Sequence, residues 1–404
     1  MSDTGSREPG PGRELVEALH RRIHAKPKPP RYQPVTVTEV LRRLRRSLEA
    51  SILLGLYGFA ENDFDAAMGI IDIEREIDEL AYQLLAHISI AVGHHVDDAA
   101  RAAPLYTYVL AVDKVMDALK DLASLTIRGH RLSDQVSREI LALSDEPVVR
   151  LTGLRGWSVG RLLDEYSIDV LAIKRGDKWI LGPGNEEGIE ENDLVYVKGA
   201  KDSVNELLES IGQQPLPEKD EGFLSDMVSS MEMLLVMNEL AHYQLRAQDA
   251  VLAEEILELE MFMDELRVRN TRTILAQNIG LEDKFLLLSL VTRIEDISDA
   301  LTYIIVMPAE EEYREILSGL VEASGDKISV HRAENYIDLI TVVEALEEMG
   351  ATVLAIRRRG EWIAVTPYNA ERIRLEPGDS ILVEYEKPLE HRVTEALRKL
   401  GFTA

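Results

Sequence analysis

The residues with chemistry to offer are carboxylates, and they come in pairs. Glu74 and Asp78 stand four positions apart, as do Asp113 and Asp117. Glu260 with Asp264 and Glu295 with Asp299 repeat the spacing later in the chain. On a helix such a pair faces one side. Two pairs on neighbouring antiparallel helices can converge into a patch of four carboxylates. Clustered carboxylates repel one another and desolvate poorly, so they need protons or a cation between them. Oxygen-only donors suit Mg²⁺, Ca²⁺, Mn²⁺ or iron. The competing reading is a solvated helix face. Asp and Glu number 72 of 404 residues, so one acidic pair at this spacing means little by itself. The recurrence of both pairs in register keeps metal binding open beside it.

Two basic stretches offer the opposite charge. KRGDK (174–178) contains Arg175 and RRRGE (357–361) contains Arg358. Either they are solvated hairpin connections, or Arg175 and Arg358 help bind a small anionic molecule. The phosphate-cradling loops GxGxxG and GxxxxGK[ST] are absent, as are HExxH and GxSxG. His94 and His95 read as a solvated turn.

The elements that carry these residues occur twice. AMGIIDIEREIDEL (67–80) is echoed by AEEILELEMFMDEL (253–266), and VLAI occurs at 170–173 and 353–356. A basic stretch and a Trp follow each VLAI, at Trp179 and Trp362. The order of landmarks is kept, which points to internal duplication. Apolar residues at three- and four-residue spacing predict three long antiparallel helices between residue 38 and about residue 128, the third starting near residue 99. A β-rich stretch follows at 133–212, with helices over 134–143 and 159–166. Helices are then predicted at 223–246, 249–276, 281–305 and 310–323, before a second β-rich stretch at 327–401. The expected fold class is α plus α+β, multidomain. It has a flexible arm (1–35), a three-helix bundle (36–132), a small α+β module (133–212), a linker (213–221), a second bundle (222–308) and a second module (309–404).

Composition narrows the partners. A formal net charge of −27 repels phosphate backbones, so no nucleic-acid partner is expected. The absence of Cys excludes disulfides and thiolate metal sites and fits a reducing cytoplasm. No apolar run approaches the ~18 residues of a membrane-spanning helix. The N-terminus, interrupted by charges and prolines, does not read as a signal peptide.

On these motifs the chain resembles a known combination. EREID (74–78), DKVMD (113–117), EMFMD (260–264) and EDISD (295–299) are similar to the repeated acidic motifs of the PhoU family, which bind metal clusters in some members. The β-rich stretches resemble the TrkA-C (RCK-C) regulatory domain of potassium-transport proteins. The first reads GRLLDEYSIDVLAIKRG, Pro183, IEENDLVYVKG, and the second GATVLAIRRRG, Pro367, LEPGDSILVEY. There are departures. EENDL stands where Gly-Asp is usual, and ENYIDLITVVEAL (334–346) lacks the usual Ser/Gly approach. Leu53 stands where the second half has Glu239. No Rossmann half and no pore filter is present.

The resemblance implies a non-catalytic, ligand-sensing regulator of cation transport, with potassium as the cation. It would be a cytoplasmic protein acting through a membrane transporter or channel subunit. It implies a pseudo-dimer within one chain, open to further homo-oligomerisation, and a small anionic effector such as a cyclic dinucleotide. A PhoU-like regulator of phosphate uptake is the alternative. A carboxylate-bridged metallophosphatase is a third reading, lacking His or Lys partners in register.

Overall fold

The computed structural model describes residues 32–92, 102–218, 222–247, 249–305 and 326–403. The expected arm up to residue 31, the His94–His95 turn and the helix at 310–323 lie outside them. In chain order the first helices are α1 (Val37–Ala60), α2 (Phe64–Val92) and α3 (Ala103–Ile127), followed by the short α4 (Asp134–Leu143). The first β-rich stretch comprises β1 (Val148–Leu151), α5 (Val159–Tyr166), β2 (Asp169–Arg175), β3 (Lys178–Leu181), β4 (Leu194–Lys198) and α6 (Lys201–Ser210). Three long helices return as α7 (Ser225–Ala247), α8 (Ala250–Ala276) and α9 (Leu281–Ile305). The second β-rich stretch has β5 (Asp326–Ala333), β6 (Ile337–Asp338), α10 (Leu339–Glu347), β7 (Ala351–Arg358) and β8 (Glu361–Ala364). It ends with β9 (Arg374–Leu375), β10 (Ser380–Glu386), α11 (Glu390–Lys399) and β11 (Phe402–Thr403).

Local chemistry sets the helix ends. The Thr36 hydroxyl accepts the Glu39 N–H at 3.2 Å and starts α1. Asn62, at φ 55°, makes the left-handed step between α1 and α2. Asp63 then caps α2 and Asp249 caps α8, each accepting two backbone N–H groups. α3 begins four residues later than its periodicity suggested, with Pro104 in its first turn, where a missing N–H costs nothing.

The two β-rich stretches form sheets of matching order. The first runs β1-β4-β2-β3, and the second runs β11-β5-β10-β7-β8, its last four strands matching the first sheet one for one. All pairings are antiparallel. Even the irregularities correspond. The register of β2 on β4 slips past Leu171, and that of β7 on β10 slips past Leu354. A bulge of this kind re-aims one side chain. Leu171 packs with Leu53 of α1 and Val148, and Leu354 joins the main helical core.

The helices do not form two separate cores. α3 packs along α9, and one apolar cluster runs from Leu41, Leu48 and Tyr108 through Met237, Leu290 and Leu301 to Tyr196 and Leu382 on the two sheets. The sheets keep smaller cores on their other faces, around Leu162 and Val197 in the first and Val342 and Val383 in the second. The stretches also touch: Leu163 enters the second sheet's core, and Arg392 donates to the Ser167 hydroxyl at 3.1 Å.

Candidate functional site

Both carboxylate quartets lie on facing helices, with Asp113, Asp117, Asp264 and Asp299 exposed and the four glutamate and aspartate partners half-buried. Glu74 and Asp78 project from α2 towards Asp113 and Asp117 on α3. Burial pushes the Asp78 carboxyl up to about 6, and the charges of Glu74, Asp113 and Asp117 add to it against Lys120. Burial, then Asp117 and Glu74, raise Asp113 in the same way. In the second quartet burial lifts Glu260 to about 7. A hydrogen bond with Asp299 and the charges of Asp264, Asp299 and Glu295 reinforce this. Two carboxyls hydrogen-bonded to each other must share a proton. Glu295 is also raised, chiefly by burial, with Arg267 opposing.

Each quartet contains a cation from the chain itself. Lys120 pairs with Glu74. Arg267 Nε lies 3.7 Å from Asp264 and 3.6 Å from Glu295. Among the described residues no three His, Asp or Glu side chains are arranged to hold a metal ion. The donor chemistry suits a hard cation, but the carboxylates sense one another without converging to chelating distance, and a lysine or arginine supplies the countercharge. Glu239, which distinguishes the halves in sequence, is not part of the second quartet's chemistry. It meets Arg45 of α1 instead.

Arg175 and Arg358 are engaged inside their own sheets. Arg175 forks onto Asp193 through Nε at 3.1 Å and Nη2 at 2.8 Å, and its Nη1 reaches Glu187 at 2.8 Å. Arg358 forks onto Asp379, Nε donating to Oδ1 at 3.2 Å and Nη2 to Oδ2 at 2.6 Å. The two aspartates are only 2% and 5% exposed. Each also accepts a backbone N–H at 2.8 Å, from Glu190 and Glu376. The paired arginine holds Asp193 below the usual carboxylate range against the opposing effect of burial. These are clamps from a hairpin to the loop before the next strand, and an anionic ligand would have to displace a buried aspartate. Arg175 also lies at the far end of β2 from Ser167, where the two β-rich stretches touch. EENDL, despite lacking the usual Gly, supplies Asp193 to the same clamp.

A concavity lies away from the quartets and the clamps. A cavity of about 340 Å³ opens between α1, the end of α4, β1, α7, α10 and β7. Leu53, Leu235, Val353 and Leu354 give it apolar walls. Its polar lining is mostly carboxylate, including Glu61, Glu146, Glu239, Glu347 and Glu384, with Lys198 the one cationic residue lining it among the described residues. Lys198 pairs with Glu146 at 2.8 Å. Behind the wall Arg45 Nη2 binds Glu239 at 2.7 Å and lies 3.7 Å from Glu384. Burial would raise Glu239, but Arg45 prevails and holds it at about 2. Burial, helped by Asp63, pushes Glu61 up to about 7. Glu347 also reaches about 7, through burial and then the charges of Glu146 and Asp145. Deeper in, burial and Arg45 depress His242 to about 4. The neutral ring donates from Nδ1 to the Asn238 carbonyl at 2.8 Å and accepts the Tyr108 hydroxyl at Nε2 at 3.3 Å. A signal for this region did exist: Glu239 and Glu384 stand where the first half has Leu53 and Lys198, so residues that break the repeat gather here.

No protein-family model matches the chain, and no curated protein matches it. Among solved structures it is similar to the GsuK channel bound to NAD, at 11% identity and a TM-score of 0.17, covering 72% of this chain and 66% of that one. It is likewise similar to the GsuK channel, at 11% identity and a TM-score of 0.18, covering 74% and 70%. The chain thus spans just under two thirds of the first of these. Among the described residues no helix is long and apolar enough to cross a membrane.

Proposed function

We propose that the chain is a non-catalytic, ligand-sensing regulator of cation transport, with potassium as the cation and a transporter or channel subunit as its partner at the cytoplasmic face of the membrane. The observation that carries the sensing part is the cavity, because both helical trios and both sheets contribute to its walls. A ligand there would touch one long helix of each trio and both sheets, so its differential affinity for two arrangements would shift one against another. The potassium part rests on the resemblance of GRLLDEYSIDVLAIKRG and LEPGDSILVEY to regulatory domains of potassium-transport proteins. The matching strand orders support reading the chain as a duplication folded into a pseudo-dimer. The quartets would then be cation sites in which Mg²⁺, Ca²⁺, Mn²⁺ or iron takes the place of Lys120 and Arg267.

The phosphate-uptake alternative is less well supported, since the cavity's carboxylates repel phosphate and both arginine clamps are engaged. The same charge balance disfavours a cyclic dinucleotide in the cavity.

The test is purification of the tagged chain from its native membranes, with identification of what accompanies it, followed by potassium flux with and without the chain. Recovery of a potassium transporter whose flux changes supports the reading. Recovery of a phosphate transporter moves it to the alternative. Metal-dependent turnover of a phosphate ester overturns both.

A further inference from the structure

We propose that the second sheet is held to the rest of the chain by a proton-operated contact, in which Glu384 and Glu386 of β10 each donate a carboxyl hydrogen to a carboxylate on another element. The first acceptor is Glu239 on α7 and the second is Asp169 on β2. The inference stands apart from the cation-transport reading, since it concerns the junction whatever partner the chain has.

Position comes first. β10 is the middle strand of its sheet and alternates its side chains between two faces. Ile381, Val383 and Tyr385 turn to the sheet's own core, and Leu382 turns to the helical core. Glu384 and Glu386 follow Leu382 on the helix-facing side. There Glu384 hydrogen-bonds Glu239, and Glu386 hydrogen-bonds Asp169 of the first sheet. The corresponding strand of the first sheet carries Lys198 where β10 has Glu384. A lysine 2.8 Å from Glu146 needs no added proton. The second sheet is instead bound acid to acid.

Charge balance is the second argument. Two ionised carboxylates offer acceptors alone, so a hydrogen bond between them needs a proton. The surrounding cations do not remove the need. At the first pair Arg45 of α1 lies 2.7 Å from Glu239 and 3.7 Å from Glu384, so one guanidinium faces two carboxyls. The other titratable groups acting there are the neutral His242 of α7 and the Tyr108 hydroxyl of α3. At the second pair Lys198 of β4 acts on Asp169 but is already paired with Glu146. Glu49 and Arg46 of α1 and Lys387 line the same space. In both pairs the hydrogen bond favours ionisation of the partner, which makes the β10 glutamate the donor.

The third argument is access. Glu239 and Glu384 line the cavity of about 340 Å³, and Asp169 and Glu386 line a second one of about 220 Å³. Water in these spaces can take up the protons without unfolding of the core. Loss of a proton leaves two like charges in contact at low dielectric, and they repel. The closed junction holds protons that the separated one releases. Raising the pH therefore opens it and lowering the pH closes it.

The experiment uses the absence of native Cys. Asp177→Cys in the turn after β2 and Glu361→Cys at the start of β8, both exposed, carry a donor and an acceptor dye on the full chain. Energy transfer is followed from about pH 5 to about pH 9 and back, with far-UV dichroism checking that the helices persist. The expected result is a reversible change in transfer efficiency that is lost when Glu384→Gln and Glu386→Gln are combined, because an amide donates at every pH. The change should survive in Glu61→Gln with Glu347→Gln, whose carboxyls, at about 7, stand outside the pairs. Asp169→Asn with Glu239→Gln removes the acceptor charges and should also abolish the change, which keeps the test open if the first variant folds poorly. Transfer efficiency independent of pH, a change that survives in both pair variants, or a change lost in the Glu61 and Glu347 variant overturns the proposal.

Discussion

Asp63 and Asp249 perform the same task at corresponding places in the two halves. Asp63 Oδ1 accepts the N–H groups of Asp65 at 2.8 Å and Ala66 at 3.1 Å, and Asp249 Oδ1 accepts those of Val251 at 3.0 Å and Leu252 at 3.4 Å. The second oxygen of each reaches a sheet. Asp63 Oδ2 lies 3.1 Å from Arg150 on β1, and Asp249 Oδ2 accepts the indole N–H of Trp362 on β8 at 2.8 Å. One carboxylate thus starts a helix and pins it to a sheet.

Replacing Asp249 with Ala removes the cap and strands the Trp362 N–H, and should cost about 1–3 kcal/mol in chemical denaturation. Asp249→Asn should cost less. Burial opposes ionisation of Asp249, but the Trp362 and backbone hydrogen bonds outweigh it and lower its pKa. Its contribution is therefore present above the unfolded carboxylate range and fades as pH falls through the lowered folded pKa. A wild-type advantage that persists at lower pH would contradict this.

Arg45 and Glu239 form a buried ion pair between α1 and α7. Arg45→Met alone leaves Glu239 uncompensated and should destabilise by about 3–5 kcal/mol. Arg45→Met with Glu239→Leu should recover most of that loss. A double variant no better than the single would show that Arg45 acts mainly through Glu384, 3.7 Å away.

Glu61 and Glu347 give stability an acid-side gain. Both pKa values, at about 7, exceed the unfolded value of roughly 4.3, so the folded state holds the extra protons. Their contribution is fully present below about pH 4.3 and is lost as pH rises through 7. Glu61→Gln and Glu347→Gln should raise the denaturation midpoint near pH 8 and leave it little changed near pH 4. Equal shifts at both values would argue for packing instead.

Gly69→Ala inverts the usual helix rule. Ala in a helix is ordinarily favoured over Gly by about 1 kcal/mol. Here a Cβ would stand 2.4 Å from Trp179 Cζ2, on the face of α2 that receives the first sheet. The variant should melt lower than wild type, and Gly69→Ala with Trp179→Leu should regain much of the loss.

The quartets as they stand do not chelate, so a metal would have to draw their carboxylates together and displace Lys120 and Arg267. The proposed cation sites predict Mg, Ca, Mn or Fe in protein purified without chelator. The content should fall in Asp117→Asn with Asp299→Asn and rise in Lys120→Met, where the internal competitor is gone. Content indifferent to all three changes leaves Lys120 and Arg267 as the countercharges.

The local elements were legible because their signals are local. Apolar spacing predicted a helix over 281–305, and α9 spans Leu281–Ile305. The pairs four apart did bring Asp78 towards Asp113, because facing helices are implied by periodicity. What stayed hidden depends on distant partners. Nothing near Arg175 announces that Asp193, eighteen residues later, will be buried beneath it. Arg45 and Glu239 are 194 residues apart, and no pattern links them. The cavity depends on such contacts, and Leu354, at the bulge in β7, forms part of its wall.

An assembly of two identical polypeptides related by a two-fold axis offers each residue twice. An arginine near the axis would have to tolerate its own copy, and so would a glutamate. In this chain Arg45 stands where the other half has Met231, and Glu239 where the other half has Leu53. One base therefore faces one acid, an arrangement that exact symmetry forbids for a lone pair. On the duplication proposed above, covalent linkage of the halves removes the obligation to mutate in duplicate. It also fixes their ratio at one to one, so the mismatched halves always find each other. The junction could thus become polar, off-centre and specific while the outlying caps and clamps stayed alike.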